Sequence, residues 1–117
     1  MSQPIILAVD DDRAVAQALA RDLEKRFSAD YDVIVEPSPS TTLDRLGRLR
    51  DEGTEVALVI AGLWMEEQTG TQVLIQAHAL HPEARRMLLV PFGDTSADEE
   101  LVRATTLGQI DSFVSKP

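Results

Sequence analysis

The sequence lacks cysteine altogether and is poor in aromatic residues, which make up 4% of its 117 residues. Without cysteine, no disulfide framework and no thiolate metal site can form. The shortage of aromatic side chains predicts a core of Val, Leu, Ile and Ala. The start, MSQPIILAVDDD, also lacks a basic segment and an apolar run long enough for a signal peptide or a membrane span. We therefore expect a cytoplasmic protein with no membrane contact.

Positive charge is scarce as well. Eleven Lys and Arg residues stand against twenty Asp and Glu residues, which gives a net charge of −9. Such a charge opposes non-specific binding to nucleic acid, so direct nucleic-acid binding is not expected. A chain of this length fits one domain with a single core.

Short apolar runs alternate with longer amphipathic stretches, which predicts strands alternating with helices. The runs cover residues 5–9, 33–35, 56–61, 87–90 and 110–114. The predicted helices cover 13–27, with Asp12 as N-cap; Ser40 or Thr41 to about Gly53; 70–80; and a stretch capped by Thr95 or Ser96 that ends at Gly108, with Leu101, Val102 and Leu107 on its buried side. The order βαβαβαβαβ predicts an α/β fold with a doubly wound, five-stranded parallel sheet. Sites in such folds lie at the carboxyl ends of the strands.

Acidic side chains follow the first predicted strand directly. Asp10, Asp11 and Asp12 would crowd the carboxyl edge of the sheet, where carboxylates can hold Mg²⁺. The simpler interpretation is that one acid caps the helix and the others are solvated. Lys116 follows the fifth strand at the same edge, where its ammonium could neutralise these carboxylates or contact a phosphoryl group.

The segments IILAVDDD, VALVIAGLWMEEQTG, RRMLLVPFGDT and DSFVSKP, in this order and spacing, resemble the signature blocks of the response-regulator receiver domain of two-component signalling. The resemblance covers essentially the whole chain. It implies a flavodoxin-like strand order 2-1-3-4-5, a Mg²⁺ held by Asp10 and Asp11, and a phosphate-contacting role for Lys116. It also implies that Phe113 is the switch aromatic residue and that the bond between Lys116 and Pro117 is cis.

The chain has Glu66 where this family usually has a proline, and it lacks two elements that phosphorylation and its readout require. In the family, the phosphoacceptor Asp lies eight residues before a glycine, and counting back from Gly70 places Gly62 there. Glycine offers neither a nucleophile nor a third Mg²⁺ ligand. The hydroxyl residue that ends the fourth strand in the family is replaced by Val90. We therefore expect a non-enzymatic pseudo-receiver that binds Mg²⁺ weakly, needs no other cofactor, and acts through protein–protein contacts.

Other functions stay open at this point. Glu66 or Glu67 could accept a phosphoryl group in place of the missing Asp, which would make the chain a working receiver served by a sensor kinase. The first 27 residues also resemble the receiver that precedes thioredoxin-reductase-like flavoproteins. Receivers continue into a fifth helix beyond the Lys-Pro pair, so we expect residues 1–117 to be the N-terminal part of a longer protein with a downstream effector domain. His78 and His81 lack acidic partners and make a poor zinc site.

Overall fold

The computed structural model describes residues 3–116, and these residues form strands and helices in strict alternation. The elements are β1 (Ile5–Val9), α1 (Arg13–Phe27), β2 (Asp32–Glu36), α2 (Pro39–Asp51), β3 (Val56–Gly62), α3 (Gly70–Leu80), β4 (Arg85–Val90), α4 (Ala97–Thr106) and β5 (Ser112–Ser115). The predicted element order is thus confirmed. No helix within residues 3–116 has the length and apolar character needed to cross a bilayer.

All five strands join one parallel sheet in the order β2-β1-β3-β4-β5. This order confirms the expected flavodoxin-like topology. Because the strands are parallel, all their carboxyl ends lie at one edge, and the loops that follow β1, β3 and β4 meet there with the end of β5. That edge is where the candidate site lies.

The two faces of the sheet are covered unequally. In β1, Ile5, Leu7 and Val9 pack into a core with α2, α3 and α4, whereas Ile6 and Ala8 pack towards α1 on the other face. Successive side chains of a strand point to opposite faces, which explains the division. Three helices therefore cover one face, and α1 is the only described helix on the other.

The predicted buried side of the fourth helix is partly wrong. Leu101 is buried as expected, but Val102 and Leu107 are 67% and 61% exposed. Ala97 and Ala104 are buried in their place. Residues 97, 101 and 104 follow the i, i+4, i+7 spacing of one helical face, and that spacing excludes position 102. Val102, and Leu107 directly after the helix, thus face outwards.

Several predicted boundaries shift in the structure. Helix α2 begins at Pro39 and is capped by Ser38, not by Ser40 or Thr41, because proline suits the first position of a helix. Strand β5 begins two residues later than predicted, at Ser112. Ser96 occupies the N-cap position of α4 without a capping side-chain hydrogen bond, since its hydroxyl donates to Asp94 instead. The Lys116–Pro117 bond lies outside the described residues.

Candidate functional site

The three acids after β1 have separate partners. Asp12 caps α1, where its carboxylate accepts hydrogen bonds from the backbone N–H groups of Ala14 and Val15 at 3.0 and 3.3 Å. Asp11 is exposed, while Asp10 is only 1% exposed. One acid is therefore a helix cap, as the simpler interpretation expects, and another is not solvated but buried at the carboxyl edge of the sheet.

Asp10 is held by one backbone group and one charge. Its Oδ1 accepts a hydrogen bond from the backbone N–H of Asp12 at 2.9 Å. Its Oδ2 lies 3.0 Å from the Nζ of Lys116, an ion pair without hydrogen-bond geometry, and it accepts no hydrogen bond from any described residue. A buried carboxylate needs such a counter-charge, because transfer from water to the protein interior is costly. The expected neutralising role of the lysine is therefore present, directed at Asp10.

Lys116 reaches Asp10 across the sheet. Its backbone N–H donates to the carbonyl oxygen of Val90 at 2.8 Å, which extends the pairing of β5 with β4 by one residue. Its side chain is 17% exposed. Strands β3 and β4 lie between β1 and β5, so the ion pair joins two strands that are not neighbours. The site is thus closed over the end of β3.

The end of β3 is Gly62, which is buried below this ion pair. A Cβ atom built on Gly62 would overlap Oδ2 of Asp10 and would lie 3.0 Å from its Cγ. The carboxylate of Asp10 therefore occupies the space into which a side chain at position 62 would project. Gly70 packs directly on the carbonyl of Gly62, so the start of α3 also approaches the strand end closely.

Hydrogen bonds fix the loop between β3 and α3 at three places. The backbone N–H of Glu66 donates to Oδ2 of Asp11 at 2.7 Å. The carboxylate of Glu67 accepts hydrogen bonds from the backbone N–H and the hydroxyl of Ser40, at 3.1 and 3.2 Å, in the first turn of α2. The indole of Trp64, 41% exposed, donates to an acid in the loop after β4. These contacts link the loop to three different loops or helices around the site.

The acid that accepts from Trp64 is Asp94, at 2.6 Å. Hydrogen bonds from the Ser96 hydroxyl and the Trp64 indole hold the pKa of Asp94 below its ordinary value, because both favour the ionised form.

At the opposite edge of the sheet, burial raises the pKa of Asp111, but hydrogen bonds and positive charge from Arg86 outweigh the effect of burial and lower this pKa.

The remaining predicted residues do not join the site. Val90 is buried at the end of β4 and presents no hydroxyl. Phe113, the expected switch aromatic, is 53% exposed on β5. His81 lies 2.8 Å from the carbonyl oxygen of Leu46, which joins α3 to α2, and His78 is exposed. Nothing in this geometry brings the two histidines to a metal.

The residues at the edge do not fit a Mg²⁺ ion in this arrangement. Asp10 already has an ammonium as its counter-ion, and Asp11 has one oxygen engaged by Glu66. Within residues 3–116, no group of three or more His, Cys, Asp or Glu side chains is placed to hold a metal. Mg²⁺ prefers octahedral oxygen coordination and gives up its waters reluctantly, so two partly engaged carboxylates are a poor site.

No family model and no curated protein matches the chain. Solved structures do match. Adenylate cyclase from Rhodopirellula baltica is 23% identical with a TM-score of 0.79, over 98% of this chain and 77% of that one. The signal receiver domain of an HD domain-containing protein from Pseudomonas fluorescens Pf-5 is 25% identical with a TM-score of 0.72, over 98% of this chain and 83% of that one. The chain therefore has the fold of response-regulator receiver domains.

A third match bears on metal and phosphate. A response regulator from Burkholderia pseudomallei, solved with a phosphorylated aspartic acid, a calcium ion and citrate, is 22% identical with a TM-score of 0.73. The match covers 98% of this chain and 61% of that one. The calcium ion and the phosphoaspartate belong to that protein, and its likeness to this chain concerns the fold.

Proposed function

We propose that the chain is a phosphorylation-independent receiver domain, a pseudo-receiver of two-component signalling that binds a protein partner and catalyses no reaction. One observation carries the proposal. By the count back from Gly70, Gly62 takes the position of the family's phosphoacceptor, and the nearest carboxylate, that of Asp10, is engaged in the ion pair with Lys116. A carboxylate with an ammonium at 3.0 Å is stabilised in place and is a poor candidate for a phosphoryl acceptor.

The geometry disfavours the alternative acceptors. Glu67 lies five residues beyond Gly62, the end of β3, and its carboxylate is turned to Ser40 of α2. Glu66 is exposed, and its backbone is fixed by Asp11. Phosphoryl transfer requires in-line placement, where an error of about 1 Å can cost about 10²-fold in rate. A working receiver that uses either glutamate is therefore the weaker proposal.

The outward side of α4, together with β5, is the surface we propose for the partner. Val102, Leu107 and Phe113 are all more than half exposed, and they form an apolar strip. Asp98 and Glu99 lie beside the strip in the first turn of α4. Large exposed apolar patches with a polar rim are typical of protein–protein contacts. Arg103 lines the same surface, but the two acids outnumber it, so the rim favours a partner surface that combines apolar and basic side chains.

A second uncovered region supports a longer parent protein. A groove of about 350 Å³ runs between α1 and the sheet, lined by apolar residues that include Leu23, Phe27, Met87 and Val114. Parallel sheets normally have both faces covered, so one further helix would complete this side. We propose that the domain is the N-terminal, cytoplasmic part of a longer protein with an effector domain. The link to a flavoprotein, and any sensor kinase, stay predictions.

Any binding of Mg²⁺ at Asp10 and Asp11 is proposed to be weak. The ion would have to displace the ammonium of Lys116 from Asp10 and compete with Glu66 for Asp11. Both exchanges reduce the net gain from binding.

Intact-mass measurement after incubation with acetyl phosphate and Mg²⁺ tests the proposed function. We expect no added phosphoryl group on this chain under conditions that label a receiver with an ordinary phosphoacceptor Asp, which serves as the positive control. A phosphoryl adduct that hydroxylamine removes would indicate an acyl phosphate and would overturn the proposal. Peptide mapping would then show whether Glu66, Glu67 or another acid carries it.

A further inference from the structure

The space above Gly62 is filled by a charged group from another strand. The three heavy atoms nearest to a Cβ built on Gly62 are Oδ2, Cγ and Oδ1 of Asp10, the last at 3.6 Å. The backbone of Gly62 is not in the positive-φ region, so its conformation does not require glycine. The need for glycine at this position is therefore one of space, and the competitor for that space is Asp10.

Asp10 gains its counter-ion in this position. Its Oδ2, the atom that a residue-62 side chain would displace, is the same atom that lies 3.0 Å from Nζ of Lys116. The other oxygen is occupied by the backbone N–H of Asp12, which fixes the orientation of the carboxylate. A Cβ at position 62 would therefore require the carboxylate of Asp10 to shift from its place beside Lys116.

We infer that Gly62 is the residue that permits a permanent internal ion pair, in which the ammonium of Lys116 replaces a bound metal as the counter-ion of the acidic edge. Because position 62 has no side chain, the carboxylate of Asp10 can extend across the end of β3 and link the end of β1 to the end of β5. The carboxyl edge is held in one closed state that needs neither metal nor phosphate.

This inference goes beyond the proposed function and is tested separately from it. It concerns stability and cation dependence, and it would survive the finding of a phosphoryl group on a distant glutamate. Conversely, if the ion pair proved independent of Gly62, the inference would fail even though no phosphoryl group was found on the chain.

The test is Gly62→Ala in the full chain, with Gly47→Ala as the matched control. A Cβ on Gly47, within α2, meets nothing within 4 Å, so alanine there should leave the urea midpoint unchanged or raise it. Gly62→Ala should lower the midpoint by about 1 M, because overpacking typically costs about 1–3 kcal/mol and small proteins have urea m-values of about 1–3 kcal/mol/M. An unchanged midpoint for Gly62→Ala would overturn the inference.

The same substitution in an Asp10→Ala background identifies the cause. Because the three nearest atoms all belong to Asp10, removing its carboxylate should abolish most of the cost of Gly62→Ala. This comparison also decides the question if Gly62→Ala alone fails to fold. An undiminished cost in the Asp10→Ala background would mean that alanine clashes elsewhere, and the inference would fail.

Cation dependence provides the second measurement. We expect millimolar Mg²⁺ to leave the urea midpoint of the wild type within the shift that an equal ionic strength of NaCl produces. A ligand that binds only the native state raises its stability, so a specific rise with Mg²⁺ would show that a metal displaces Lys116. That result would contradict a permanent internal counter-ion.

Discussion

Removing the ammonium of Lys116 should destabilise the fold strongly. In Lys116→Met, Asp10 would stay buried at 1% exposure with only the N–H of Asp12 as a partner. Breaking a buried ion pair by removing one partner costs about 3–5 kcal/mol. We expect about 3 kcal/mol, the lower end of that range, because the lysine retains partial access to water and Asp10 keeps one hydrogen bond.

The loss is large enough to measure by thermal or urea unfolding followed through Trp64. For a domain of about 100 residues, about 1 kcal/mol shifts Tm by about 4 °C or more, so Tm should fall by roughly 12 °C. The chain's other lysine, Lys25, is exposed in the last turn of α1 and provides the control. Lys25→Met should change stability by less than about 0.5 kcal/mol, as expected for a surface substitution.

A double variant that lacks both charges distinguishes the contribution of the ion pair to stability from that of side-chain packing. Asp10→Asn with Lys116→Met removes both charges and leaves a neutral side chain that can still accept from the N–H of Asp12. Replacing both partners of a buried pair is often close to neutral, so most of the lost stability should return. A cost below about 1 kcal/mol for Lys116→Met alone, the value of an exposed pair, would refute the reasoning.

Two further predictions concern the surroundings of the site. Because the pKa of Asp94 is lowered, its ionised form contributes stability that is present above the unfolded pKa and is lost as pH falls through the folded pKa. The acid-induced change in Trp64 fluorescence should therefore have its midpoint below the usual Asp range. Asp94→Asn should remove this change. Val102→Glu should leave Tm within a few degrees, because the Val102 side chain is 67% exposed. The same substitution should weaken binding in a pull-down with the parent protein's partner. Unaltered binding would place the partner on another surface.

Much of the fold could be predicted because hydrophobic periodicity is a strong local signal. The five apolar runs and the stripe containing Leu19 and Leu23 correspond to β1 to β5 and α1. The errors came where local pattern is ambiguous. In α4, Leu101 and Val102 are adjacent apolar residues of which only one can face the core, and the small residues Ala97 and Ala104 decide which.

The residues of the site could be predicted from the sequence better than the contacts between them. The position of Asp10 and Lys116 at the ends of β1 and β5 follows from the topology, because parallel strands end at a common edge. That the carboxylate of Asp10 fills the space above Gly62 depends on side-chain conformation, which the sequence does not encode locally. The link from Trp64 to Asp94 spans 30 residues between two loops and has no signal in sequence spacing.

The central claim, a receiver fold whose acidic edge is closed by its own lysine, is tested most directly by amide NMR. Spectra of the full chain would be recorded with and without Mg²⁺ together with beryllofluoride, an analogue of an aspartyl phosphoryl group. We expect no specific shifts at residues 10–12, 62–66 or 113–116, beyond those caused by an equal ionic strength of NaCl. Saturable shifts of these amides, spreading into the loop after β4, would show an open site that binds metal and phosphoryl analogue, and would contradict the account.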